Sequence, residues 1–150
     1  MSVRQDLIQY RFLLAEVEHL QEVIGELEAE RKAFIQTDMV VASDTEYPYT
    51  THKVKIRGID FTDKEALELN DQYQKLIRKL RRKKVETSRA YIRAMSVIYE
   101  APDIVTRRVL ECRFIHGMTW EQTAANSFNI TASAARSIAS RYIAGKDVRK

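Results

Sequence analysis

The stretch GMTWEQTAANSFNITASAARS, Gly117 to Ser137, decides how the back of this chain folds. Glycine suits the left-handed residue just past a helix. Thr119 and Gln122 stand three apart, as the two halves of a capping box do, and "SFNI" then interrupts the pattern before Thr131 caps a run of small residues. The spacing predicts a short helix over about 119 to 127, a tight turn, and a further helix from Thr131 until Gly145. Upstream, in "IVTRRVLECRFIHG", Ile104, Val105, Leu110 and Phe114 fall in helical register, with Pro102 suited to a first turn. Three short helices, the last two joined tightly, predict a helix-turn-helix.

Two helices that cross closely need small side chains at the crossing. Ala124 fits that place, with Ile130, Ala135, Ile138 or Ala139, and Tyr142 expected in the core. The opposite side of the last helix then carries Thr131, Ser133, Arg136, Ser137, Ser140 and Arg141, hydroxyls and guanidinium groups that can bond phosphates or base edges. Trp120 and Gln122 open the preceding helix, where backbone N–H groups favour a phosphate. These eight are the candidate DNA-binding residues. Residues 101–150 hold 8 Lys+Arg against 4 Asp+Glu, and Arg107, Arg108 and Arg113 add positive potential. Cys112 is expected on the buried side of its helix.

Outward from this module, residues 1–100 predict a long antiparallel helical hairpin. Val3, Leu7, Tyr10, Leu14, Val17, Leu20, Ile24, Leu27 and Phe34 recur at spacings of three and four, with one gap at Arg31, so a helix is expected over about 3–36. Its glutamates line a solvated face. A second stripe, Ala66, Leu69, Tyr73, Leu76, Leu80, Thr87, Tyr91, Ala94 and Ile98, predicts a helix over about 62–100, opened by a capping box of Thr62 and Glu65 and ended before Pro102. Antiparallel pairing puts Glu16 opposite Arg82 and Glu18 opposite Leu80. Between the helices, residues 37–61 break the period. There "HKVKIRGI" alternates as a half-exposed strand does, and a small hairpin with Met39–Val41 is expected at the tip. The fold class is thus all-α, with a short β-like tip and a C-terminal helix-turn-helix at 101–150.

Charge is unevenly placed: residues 1–61 hold 7 Lys+Arg against 11 Asp+Glu, and residues 62–150 hold 18 against 10. Nine of those cations lie between Lys75 and Arg93. Arg78, Arg81, Arg82, Lys83 and Lys84 form an auxiliary basic surface, either a solvated face or one that tracks phosphates or docks an acidic protein. Catalytic and metal chemistry lacks a constellation, because His19, His52 and His116 sit in three different segments and no HExxH, CxxC, P-loop or GxSxG occurs. No enzyme activity, cofactor or metal is expected. One cysteine, no signal-like start and no long apolar run predict a soluble cytoplasmic protein without a membrane.

The stretch VTRRVLECRFIHGMTWEQTAANSFNITASAARSIASRYI, about 40 residues, resembles region 4 of sigma-70-type factors. The layout, a helical front and this module at the back, is similar to phage-encoded regulators of the RinA and ArpU type. The resemblance implies a recognition helix over Thr131–Tyr142 and activation of late phage genes in the cytoplasm of a bacterial host. It further implies binding to double-stranded promoter DNA together with RNA polymerase. One departure is the turn "AANSFNIT", a residue longer than usual, with Asn129 where glycine is common. The hairpin is expected to form a homodimer. Two other readings fit the layout, a phage small terminase subunit and a helical adaptor that ignores DNA; oligomer mass and salt-dependent gel shift separate them.

Overall fold

The computed structural model describes residues 2–33, 35–43, 47–48, 51–59 and 64–148 of the chain. Five helices dominate: α1 (Val3–Ala33), α2 (Lys64–Tyr99), α3 (Ile104–Leu110), α4 (Trp120–Asn126) and α5 (Ala132–Asp147). A π-helical turn, Glu111–Ile115, extends α3. Two strands, β1 (Ile35–Ser43) and β2 (Thr51–Ile59), pair antiparallel between α1 and α2, with Val40 opposite Val54 and Met39 opposite Lys55. The Thr62 cap and Phe34 lie outside the described residues.

The chain divides into two compact units, Met1–His19 with Arg81–Lys150, and Leu20–Leu80. In the second, Leu20, Ile24 and Ala66 are buried. Arg31, the gap in the first apolar stripe, sets its guanidinium carbon 4.5 Å from the centroid of Tyr73, so a cation–π contact fills the place of an apolar side chain. The two strands belong to this unit.

The first unit holds the main core. Val3 and Leu7 of α1, Ala94 and Ile98 of α2, Val109 and Leu110 of α3, Ile115, Ala124, Ala135 and Ala139 form one buried cluster. This core spans residue 100: the three short helices bury apolar residues in one cluster with the ends of α1 and α2. Polar ties cross the same seam. The Tyr142 hydroxyl donates to the Val97 carbonyl at 2.6 Å, the Val3 amide donates to Asp147 Oδ1 at 2.7 Å, and Lys146 pairs with Glu100. Burial raises the Tyr142 phenol above its ordinary value.

Within this unit α1 and α2 run antiparallel, with Tyr10 and Tyr91 5.3 Å apart between ring centroids. Glu16 meets Lys83 at 3.1 Å, one residue from the Arg82 expected opposite it. Ala90, outside the expected stripe, is fully buried, between the buried Thr87 and Ala94 at spacings of three and four on one face of α2.

Candidate nucleic-acid interface

The last fifty residues fold locally as their capping chemistry directs. Asp103 caps α3: its carboxylate accepts from the Thr106 amide at 2.7 Å and the Thr106 hydroxyl at 2.8 Å. Those two bonds hold the Asp103 carboxyl below its ordinary value. The helix accordingly begins at Ile104, after Pro102, and Ile104 in its first turn is 68% exposed rather than part of the core.

Beyond Leu110 the helix widens, and the His116 amide donates to the Glu111 carbonyl five residues back. In an unbroken α-helix Arg113 would follow Val109 and Leu110 on the core side, at spacings of four and three. With the turn widened, Cys112 and Ile115 are the buried residues, and Phe114 is only half-buried. Gly117, at φ 67°, reverses the chain, as its place after the helix predicts.

Thr119 and Gln122 form a complete capping box at α4. Their amides are thereby engaged with each other's side chains, at 3.1 and 3.2 Å, and neither is open to a phosphate. This alters the expectation for Gln122, whose exposed side chain is committed to the cap. Between α4 and α5, Ser127 is buried, and Phe128 and Asn129 both adopt left-handed backbone, at φ 63° and 55°. The turn is thus made by two consecutive left-handed residues, of which only the asparagine suits that geometry readily. Thr131 then caps α5 by accepting from the Ala134 amide at 3.1 Å. Ala124, Ala135 and Ala139 are buried where α4 and α5 pack, with Tyr142 and Ile143 beside them.

This packing sorts the remaining candidates. Ser133, Ser140 and Arg141 are exposed, and Ser137 is half-buried. Arg136 is exposed too, but it lies five residues from Arg141, which is about 140° around the helix at 100° per residue. The two arginines therefore serve different sides of α5. Arg136 turns toward Trp120, its guanidinium carbon 5.8 Å from the ring centroid, while Arg113 approaches the same ring at 4.8 Å.

Around Trp120 opens a cleft of about 760 Å³, lined by Arg113 and Arg136 and by Arg4, Ile8 and Arg11 of α1, with Phe114, Ala139, Ser140 and Ile143. The Arg11 guanidinium lies against Gly117, where a side-chain carbon would collide with it. Sequence reasoning missed Arg4 and Arg11. A signal existed: they are the only cations in the first thirty residues, and with Ile8 they fall at i, i+4 and i+7 on one helix face.

Arg107 and Arg108, and Arg113 beside its contact with Trp120, brace the backbone. Arg107 donates to the Ala101 carbonyl at 2.8 Å, Arg108 to that of Asn126 at 3.3 Å, and Arg113 to that of Met118 at 2.7 Å. Of the auxiliary basic surface, Lys83 is held by Glu16 and Glu86, and the hydrogen bonds it donates to these two carboxylates raise its ammonium above the ordinary value. Arg81, Arg82 and Lys84 are exposed on the same stretch of α2, and Arg78, also exposed, belongs to the other unit. Among the described residues no group of three or more His, Cys, Asp or Glu comes together, and no helix is long and apolar enough to cross a membrane. No family model matches the chain, and no curated protein and no solved structure matches it.

Proposed function

We propose that this chain is a sequence-specific DNA-binding transcriptional regulator, phage-derived, that acts on late genes with the host's RNA polymerase. In this reading α3, α4 and α5 are a helix-turn-helix, and α5 is the recognition helix. The observation that carries it is the division of α5: Ala135 and Ala139 are buried beside Ala124, while Ser133, Ser140 and Arg141 stay exposed along the other side. Small buried residues let α4 and α5 approach closely, and short hydroxyls beside an arginine suit a surface that must fit a groove and bond phosphates. The capped turns at Thr119 and Thr131 fix the angle at which α5 is presented.

A homodimer is part of the proposal. Val85, Ile92 and Tyr99 are exposed at seven-residue spacing on α2, the repeat that a helix-on-helix contact uses. A second copy would cover them.

Duplex binding at rising salt tests the reading. Saturable binding that weakens steeply with ionic strength, and weakens further in Arg141→Ala, is the expected result. Wild-type protein that fails to bind promoter fragments from its own genetic element would overturn it. Chromatin capture in a host carrying that element should recover sites beside late genes. A native mass of two subunits fits regulation, whereas a ring of many subunits would point instead to DNA packaging.

A further inference from the structure

The cleft beside Trp120 has a composition that α5 alone does not explain. Four guanidinium groups line it, from Arg4 and Arg11 in α1, Arg113 after α3, and Arg136 in α5. One carboxylate, Asp147, lines it with them, and that group already accepts from the Val3 amide. The arginine ion pairs of this unit are elsewhere, Arg93 with Asp6 and Arg108 with Glu111. Among the described residues none of the four cleft arginines has a carboxylate partner within ion-pair distance.

Like charges gathered in this way repel one another. Arg113 and Arg136 share one indole ring, at 4.8 and 5.8 Å, so their guanidinium carbons are no more than about 10.6 Å apart. The partly apolar lining, with Ile8, Phe114 and Ile143, lowers the local dielectric and strengthens both the repulsion and the attraction for an anion. Guanidinium is also the donor whose fork matches phosphate oxygens in pairs.

We propose that this cleft is a phosphate-gripping part of the DNA interface, in which Arg4 and Arg11 act with Arg113 and Arg136 on the sugar–phosphate backbone. This rests on the DNA-binding reading above and adds α1 to the contact surface. Continuity supports the duplex as occupant: Ser140 lines the cleft and lies seven residues from Ser133 on α5, so the backbone that meets the hydroxyl side of α5 is carried on toward the arginines.

Trp120 is the chain's single tryptophan and touches two of the four arginines, so its fluorescence reports the cleft directly. The test is titration with a short mixed-sequence duplex across a range of salt, comparing wild type, Arg4→Gln/Arg11→Gln and Arg141→Ala, with poly-L-glutamate as a second probe. Wild-type fluorescence should change saturably with duplex. The double variant should bind about tenfold or more weakly at roughly 0.1 M salt, and its log–log salt slope should fall by about two, near 0.9 per lost phosphate contact. The charge-retaining Arg4→Lys/Arg11→Lys should keep most of the slope. If the double variant loses helical circular dichroism, Arg4→Gln alone carries the test, with a slope reduced by about one.

A double variant that matches wild type in affinity and slope, while Arg141→Ala weakens binding, would overturn the cleft assignment and leave the DNA reading standing. No saturable binding by wild type, either to this duplex or to promoter fragments from its own genetic element, would overturn both. Poly-L-glutamate that moves Trp120 fluorescence in wild type alone, with duplex inert, would assign the cleft to an acidic protein and overturn the proposal.

Discussion

Leu7→Ala in α1 should destabilise helices that lie more than a hundred residues further along the chain. Leu7 is fully buried in the cluster that also holds Val109, Leu110, Ala124, Ala135 and Ala139. Removing a buried leucine to the β-carbon costs about 2–5 kcal/mol, depending on how far the neighbours can collapse into the void. Here Ala94, Ala135 and Ala139 are methyl groups on helical backbones and cannot reach inward, which places the cost in the upper part of that range, about 3–5 kcal/mol. That is a large share of a typical domain stability of about 5–15 kcal/mol. With a urea dependence of about 1–3 kcal/mol per molar, the unfolding midpoint should fall by roughly 1–5 M. Urea titration followed by Trp120 fluorescence is the assay, because the probe sits at the start of α4, far from Leu7 in sequence. A Trp120 transition that stays at the wild-type midpoint while far-ultraviolet circular dichroism shifts would refute the shared core and restore an independent C-terminal domain.

Three further outcomes follow from local geometry. Gly117→Ala should cost about 1–2 kcal/mol for its left-handed backbone, plus whatever displacing Arg11 adds; in an Arg11→Ala background the cost should shrink, which a double-mutant cycle by urea titration measures. Phe128→Asn should raise the melting temperature by a few degrees, since φ 63° costs a phenylalanine about 1 kcal/mol that asparagine largely avoids, and the ring is exposed enough to lose little by leaving. Asp103→Asn should flatten the acid limb of the stability curve. The Asp103 carboxyl is depressed, so its contribution is fully present above the unfolded value near ~3.9 and fades as pH falls through the lower folded value. Melting temperatures measured downward from about pH 5 should drop less in the variant than in wild type, and parallel curves would contradict the cap's role.

Much of the local structure is legible along the chain. The three- and four-residue spacing of Val3 to Leu27 and of Ala66 to Ile98 marks α1 and α2, because a helix that buries one face must repeat its apolar residues with the helical period. Gly117, Thr119 with Gln122, and Thr131 mark the ends of the short helices, since orphaned amides at a helix start are satisfied within a few residues of sequence. Ala124 and Cys112 are buried as their positions suggest. The π-helical turn is not legible. No residue in "ECRFI" forbids an ordinary helix, and the widening is settled by what Cys112 and Ile115 pack against.

Sequence alone therefore determined the helices and the caps at Thr119 and Thr131, which depend on interactions within about four residues, and marked the small residues of the α4–α5 crossing by their place around each helix. Tertiary structure decided the company that distant residues keep. It merged the ends of α1 and α2 with the three short helices into one core, because residues as distant as Val3 and Ala139 share a buried cluster that no local pattern along the chain specifies. It also brought Arg4, Arg11, Arg113 and Arg136 together at Trp120. Helical spacing places cations on a face, and only the packed backbone fixes which faces share a cleft.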